Sequence, residues 1–379
     1  MLRDKPVKLS LTARDSHCVK IQSGQGSFSF GPAKHRHAKK FDAIVQPDVP
    51  INWAVFEQFA GWPRYFDYTG NDAGFIQWSV KREIENITWE PCSSQQLDCS
   101  GANIYHFFLE LGDNIELTLS NLSVHHLCVR GQLSNLALHD KQSNVECLSF
   151  QPDCSKNAKS EPYQLPVLPS LAQVESINIH VDPMGQAFDC ASLLQFENLT
   201  DITLSGNLTN FAALTKLDLR NLAIRYCPNL TDFPSLDSWA ELNQLIIWNA
   251  EETNGKRLRS ELNKLKKVKG LEHASVSKLR KKDWFVTEYG LPFSAWTKGN
   301  ERIANKAYKS AVKEIAVAIN EQEIKAAIYK LVDAVNQLDD IETPHRDDMA
   351  LAIDNLADVC PIDIDHHKFN QWFDDKREF

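Results

Sequence analysis

Two stretches of this 379-residue chain carry side chains whose types and spacing can do chemistry. In CPIDIDHHKF, Asp363, Asp365, His366 and His367 fall within five residues. Imidazole and carboxylate are competent ligands for a divalent metal. On an extended backbone, where side chains alternate, Asp363, Asp365 and His367 share one side, which would suit a metal-dependent enzyme at 363–367. A solvated acidic tail with incidental histidines accounts for the segment more cheaply, and neither metal nor cofactor is expected. The second stretch, 256–282, holds eleven Lys/Arg against two Asp/Glu, a local charge of +9. KRLRSELNKLKKVKG aligns cations along a helix, as phosphate-contacting proteins do, and RKKDWF adds an aromatic beside them. The whole chain is at −9, however, and no helix-turn-helix or aromatic strand platform accompanies the cations. Nucleic-acid binding is therefore the alternative reading. Residues 320–379 carry six Lys/Arg and fifteen Asp/Glu, so the basic belt is expected to pair with that acidic region or with an acidic partner.

The remaining polar side chains do not converge on a reaction. His125, His126, His139 and His180 stand apart from any sequence motif, and there is no GxSxG, HExxH or Walker pattern. In KHRHAKK, His35 and His37 lack a third ligand. Gly24, Gly26 and Gly31 lack the strand-to-helix context of a phosphate loop. The nine cysteines include no CxxC pair. They read as small apolar residues in a reducing compartment. The first twenty residues are charged throughout and lack the apolar core of a secretory signal. No apolar run approaches the roughly 18 residues that span a bilayer. The expected location is cytoplasmic, with no membrane involvement.

The elements that would position these groups follow from one repeated phrase: an apolar residue, two variable ones, an apolar, one variable, an apolar. Its copies are Ile104/Phe107/Leu109, Asn114/Leu117/Leu119 (polar at the first place), Val124/Leu127/Val129, Leu133/Leu136/Leu138 and Val145/Leu148/Phe150. Ala73/Ile76/Trp78 and Ile84/Ile87/Trp89 extend it backwards, with Leu97/Cys99 as a degenerate copy. A short strand that cannot bury its face alone must stack on its neighbours. About ten residues are too few for a full coil, so two successive copies are expected to make one coil of about twenty. After a polar, proline-bearing break at 151–172 the phrase resumes at Val174/Ile177/Ile179, Leu199/Ile202/Leu204, Leu214/Leu217/Leu219 and Leu242/Leu245/Ile247, with a further strand near Ala223.

LTDITLSGNLTNFAALTKLDLRN and LNQLIIWNAEE resemble leucine-rich repeats: they carry the L-x-x-L-x-L strand, and Asn207, Asn221 and Asn249 stand where that family's asparagine ladder would. The segment from WTKGNERIANKAYKSAVKEI to QLDDIETPHRDDMALAIDNL is similar to the tails of bacterial leucine-rich-repeat-like proteins, which implies a bacterial source and no particular activity. The resemblance implies a stacked-strand horseshoe, although the repeat lengths are irregular.

Downstream of Glu252 the apolar spacing turns helical. Leu258, Leu262 and Leu265 mark one helix. Ile303, Ala307, Tyr308, Ala311, Ile315 and Ala318 mark a second, Ile324 to Leu338 a third, and Met349, Ile353 and Leu356 a fourth with Thr343 near its cap. Upstream, strands are expected at 7–13 and 27–30, and Trp53, Phe56 and Phe59 on a short amphipathic helix would cap the first coil.

The expected fold is α/β: an irregular leucine-rich-repeat-like solenoid of stacked short parallel strands at 73–252. It follows an irregular N-terminal segment and cap at 1–72 and precedes a C-terminal helical domain at 253–379. The expected function is non-catalytic recognition of a protein partner by the exposed strand face, as an immunity or inhibitor protein in its specialised form. An acidic surface suits a basic partner. The variable positions between the apolar ones name the contact residues: Glu116, Thr118, His126, Asn135, Asn178, Thr203 and Asp218, with Cys128, Ala137 and Ile246 beside them.

Overall fold

The computed structural model describes all residues except 1–5, 22–24, 60, 140–143, 155–160, 270, 272, 295 and 363, and of Lys298 the backbone alone. The chain forms two compact units, Met1–Lys282 and Asp283–Phe379. The division falls at 282/283 rather than at the expected 252/253. One apolar cluster runs from Leu9 through Leu258, Leu262 and Leu265 to Val276, so the first C-terminal helix buries its leucines in the same core as the strands.

Twelve strands of the first unit build one sheet: β1 (Ser27–Gly31), β2 (Ala43–Ile44), β3 (Tyr65–Thr69), β4 (Ile84–Glu90), β5 (Ile104–Leu111), β6 (Ser123–Gly131), β7 (Asn144–Pro152), β8 (Ser176–His180), β9 (Asp201–Ser205), β10 (Asn221–Arg225), β11 (Gln244–Trp248) and β12 (His273–Ser277). Beyond the β2-β1-β3 edge their spatial order is their chain order, and every neighbouring pair is parallel. A second, three-stranded parallel sheet is made of 95–98, 117–120 and 136–138. Between β4 and β7 the chain alternates between the two sheets, so two copies of the phrase return it to the large sheet. Phe107 accordingly registers with Leu127, and Leu117 with Leu136. Further on, the small sheet gives way to 3-10 turns at Pro169–Leu171, Cys190–Gln195, Phe211–Lys216 and Leu236–Ser238.

Several expected strands are something else. Ala73/Ile76/Trp78 belongs to a helix, α1 (Gly74–Ser79), with Ala73 at its N-cap; it buries Phe75, Ile76 and Trp78. Leu214/Leu217/Leu219 is not a strand: Leu214 sits in the 3-10 turn and the strand is β10. Both errors share a cause, because a step of three between apolar residues serves a helical turn as well as this phrase. Asn221 begins a strand instead of following one, whereas Asn207 and Asn249 do follow theirs. Residues 1–72 are not merely irregular, for they supply β1, β2 and β3. Phe28, Phe30, Phe66 and Tyr68 from those strands meet the buried Trp53 and Phe56 of a 3-10 turn, Trp53–Phe59. Helix α2 (Glu252–Val268) precedes β12, and Glu251 caps it by accepting from the backbone N–H groups of Thr253 and Asn254.

The sequence then runs through α3 (Lys282–Thr287), α4 (Lys298–Ala316), α5 (Glu321–Asn336), α6 (Thr343–Asp358) and α7 (His366–Lys376). The second unit has its own core, with Ile315, Ile328, Leu331, Met349, Ile353, Leu356 and Phe369 fully buried. Ile303, expected on the buried face of α4, is 46% exposed, and Ala304 is buried instead. Glu342 rather than Thr343 is the cap of α6, in a capping box with His345. Among the described residues no helix is long and apolar enough to cross a membrane.

Candidate functional site: the outward face of the parallel sheet

The repeated phrase fixes what this face displays. Its one-residue gap gives ordinary alternation, so His106, Phe108 and Glu110 turn outward between Phe107, Leu109 and Leu111, which are buried. Its two-residue gap breaks alternation, and both residues there escape burial: Glu85 and Asn86, Tyr105 and His106, His125 and His126, Glu146 and Cys147. Strand register then lines these residues up. One row runs Tyr65, Asn86, His106, His126, Cys147, Ser176, Asp201, Asn221. The next runs Asp67, Thr88, Phe108, Cys128, Ser149, Asn178, Thr203, Ala223, Ile246. Apart from the buried Cys128, all these side chains are half-buried or exposed. All-parallel sheets are ordinarily covered on both faces; here one face reaches solvent.

Hydrogen bonds run across the strands along these rows. The His106 and His126 Nδ1 atoms are 3.3 Å apart, and His126 Nε2 is 2.7 Å from Ser149 Oγ. Asn178 Nδ2 donates to Ser149 Oγ at 3.1 Å and to Cys147 Sγ at 3.6 Å. Asn221 Nδ2 donates to Asp201. At the edge of the face Tyr105 stacks on His125, ring centroids 4.3 Å apart, and His125 Nδ1 meets Glu146 at 2.7 Å. Tyr65 donates to Glu85 at 2.7 Å, which with Arg64 holds that carboxyl below its usual range. At the other margin the loop carrying KHRHAKK folds over the sheet. His35 reaches Glu90 at 2.9 Å, Arg36 reaches Glu110 at 2.6 Å, and Arg130 approaches Glu110 at 3.3 Å. Burial pushes His126 below the ordinary histidine value, helped by the neighbouring His106 and His125, and His106 is lowered in the same way. Burial raises the Cys128 and Cys147 thiols, so this face presents protonated thiols rather than thiolate nucleophiles.

Of the residues expected to meet a partner, His126, Asn178 and Thr203 share this face, with Cys128 and Ile246. Thr118 lies in the small sheet with Glu116 just before it. Asn135 ends a 3-10 turn, and Ala137 is in the small sheet's last strand. Asp218 is exposed outside any strand. The expectation placed successive copies of the phrase on one surface, whereas between 84 and 152 successive copies belong to different sheets. Tyr105, His106, Phe108, His125 and Ser149 were not among the expected contact residues, although the same positional rule applied to 104–109 selects His106 and Phe108.

The other two candidate stretches meet helices α7 and α2. Asp363 lies outside the described residues. Asp365 caps α7 by accepting from the His367 backbone N–H at 2.9 Å, and His366 lies 3.4 Å from Asp358. The segment is thus a helix start and not an extended strand, and among the described residues no group of three or more His, Cys, Asp or Glu side chains could hold a metal. In the basic belt, Arg257 pairs with Glu261 at 2.7 Å and Lys256 with Glu252 at 3.2 Å. Arg259 donates to the Val276 carbonyl at 2.9 Å and Lys269 to that of Trp239 at 3.3 Å. These four cations make contacts within their own unit.

Fold and face together define a mixed α/β protein built on a twelve-stranded parallel sheet with one open side. Compared with protein-family models, with curated proteins and with solved structures, the chain matches none.

Proposed function

We propose that the chain is a non-catalytic recognition protein, a leucine-rich-repeat-like solenoid whose outward sheet face grips a protein partner. One observation carries the reading: a parallel sheet whose second face is left to water and lined with aromatic, histidine and amide side chains in register. Such a face is held rigid by its ladders, so little ordering entropy is lost on binding. Exposed Tyr65 and Tyr105, with Arg64 and Arg130, supply residue types found at interface hot spots. Glu146, Glu175 and Asp201 border a groove of about 550 Å³ on the same face, which suits a basic partner, as an immunity or inhibitor protein would need. The cysteines form no disulfide among the described residues, which fits a reducing, cytoplasmic setting.

Catalysis is the weaker reading. Ser149, His126 and His106 stand in the order of nucleophile, base and orienter. Ser149, however, lies in a strand paired on both sides, where the backbone N–H groups serve the ladder instead of a developing oxyanion. The test is affinity capture from the native host followed by quantitative binding of the recovered protein. Tyr105→Ala, Asn178→Arg and Thr203→Arg should each weaken binding at least about tenfold, while Thr118→Ala and Asn135→Ala leave it unchanged. Equal effects from both sets would defeat the proposal. Nucleic-acid binding would instead appear as salt-sensitive retention lost on Lys264→Glu, Lys266→Glu and Lys267→Glu.

A further inference from the structure

The second unit has an open groove of about 430 Å³ between α4 and α5. We infer that this groove docks an acidic amphipathic helix of a partner protein. Its floor is made of small side chains, Ala307 and Ala311 from α4 and Ala327 and Ala334 from α5. Small residues at a contact bring helices to the near end of the usual range of about 8–10 Å between axes. Ile303 stands in the same groove and is 46% exposed, although its spacing along α4 places it with the apolar residues. An amphipathic helix laid in a groove covers such surface with anchors at i, i+3, i+4 and i+7. From Ile303 to Glu314 the groove follows α4 for about 16 Å, the length of about three helical turns.

Charge selects the partner. Residues 283–379 hold eleven Lys/Arg and nineteen Asp/Glu, yet the groove is bordered by Arg302, Lys306 and Lys330 with one carboxylate, Glu314. That carboxylate is already engaged: Lys330 Nζ donates to it at 2.7 Å and Ser310 Oγ at 3.1 Å. Arg302 and Lys306 are exposed, and among the described residues no carboxylate pairs with either. A helix with carboxylates beside its apolar stripe meets these two cations, whereas a basic helix is repelled by them. Every residue of the groove belongs to the second unit, and none to the sheet face on which the proposed protein recognition rests.

Fluorescence anisotropy on the full chain tests this with two labelled helical peptides. Both carry the same leucine–alanine stripe; one has a glutamate-rich polar face and the other has lysine in its place. The glutamate peptide should bind saturably, one per chain, and weaken as salt is raised. The lysine peptide should bind at least about tenfold more weakly. Arg302→Glu/Lys306→Glu should weaken the glutamate peptide at least about tenfold. Ser310→Trp, which puts an indole into the groove from an exposed position, should do the same, and both variants should keep the wild-type circular dichroism. Lys313→Glu, at an exposed site of α4 outside the groove, should change binding less than about twofold, and Tyr105→Ala on the sheet face should change nothing. No binding of the glutamate peptide, equal binding of both peptides, or binding unaltered by Ser310→Trp each overturns the inference. So does self-association of the chain that Ser310→Trp abolishes, since the groove would then belong to a second copy. Because Tyr105→Ala reports on the sheet face alone, failure of the protein-recognition reading leaves this result readable by itself.

Discussion

Glu251 illustrates how much one side chain settles. It sits between β11 and α2, and its carboxylate accepts from the N–H groups of Thr253 and Asn254, donors that helix geometry leaves without partners. Burial works to raise its pKa, yet the hydrogen bonds from Thr253 and Asn254 outweigh this, and the group is held below the usual carboxylate value. Glu251→Ala should cost about 1 kcal/mol of stability in urea denaturation. Glu85 and Glu314 are also lowered, chiefly by hydrogen bonds from Tyr65 and Lys330. A carboxylate with a depressed folded pKa stabilises the fold above its unfolded pKa of about 4.3, and that contribution disappears as pH falls through the folded value. The urea midpoint should therefore be flat near neutrality and decline below about pH 4.5. In Glu251→Gln that decline should be shallower, and an unchanged slope would count against the capping account.

At the scale of the element, the strands depend on close backbone approach at their ends. Gly206 follows β9 with φ 108°, and a Cβ there would strike the Val181 carbonyl oxygen; Gly131, at the end of β6 with φ 89°, stands the same way against Leu111. Gly206→Ala should lower stability by about 1–3 kcal/mol, read from the urea midpoint, with little change in far-ultraviolet circular dichroism. Leu127 is fully buried between β5 and β7, and Leu127→Ala should cost about 2–5 kcal/mol by opening a cavity. The phrase was legible in the sequence because its apolar residues face one interior. Its three-residue step was the ambiguous part: at Ala73–Trp78 and at Leu214–Leu219 the same spacing serves a helical turn.

The whole molecule has two cores, one reaching from Leu9 to Val276 and one from Phe293 to Phe373. Each unit should unfold as its own cooperative transition. Calorimetry of the full chain should resolve two transitions, and residues 283–379 produced alone should remain helical and melt at the temperature of one of them. A single transition, with the isolated segment unfolded, would contradict this. The boundary was misplaced because sequence marks where chemistry turns helical, at 252, whereas a unit ends where burial changes owner. Leu258, Leu262 and Leu265 belong to the first core.

By itself the sequence determined the strand repeat, the pairing of two copies per return to the large sheet, the apolar interior and most of the helices. These are local matters, set by the period of apolar side chains along the chain. Tertiary structure alone decided which residues share a surface. Successive copies of one phrase go to two different sheets, which separates Thr118 and Asn135 from His126 and Asn178 and brings His106, Ser149 and Asn178 around His126. Register across parallel strands joins residues twenty or more positions apart, and no period read along one strand states which neighbour it will meet.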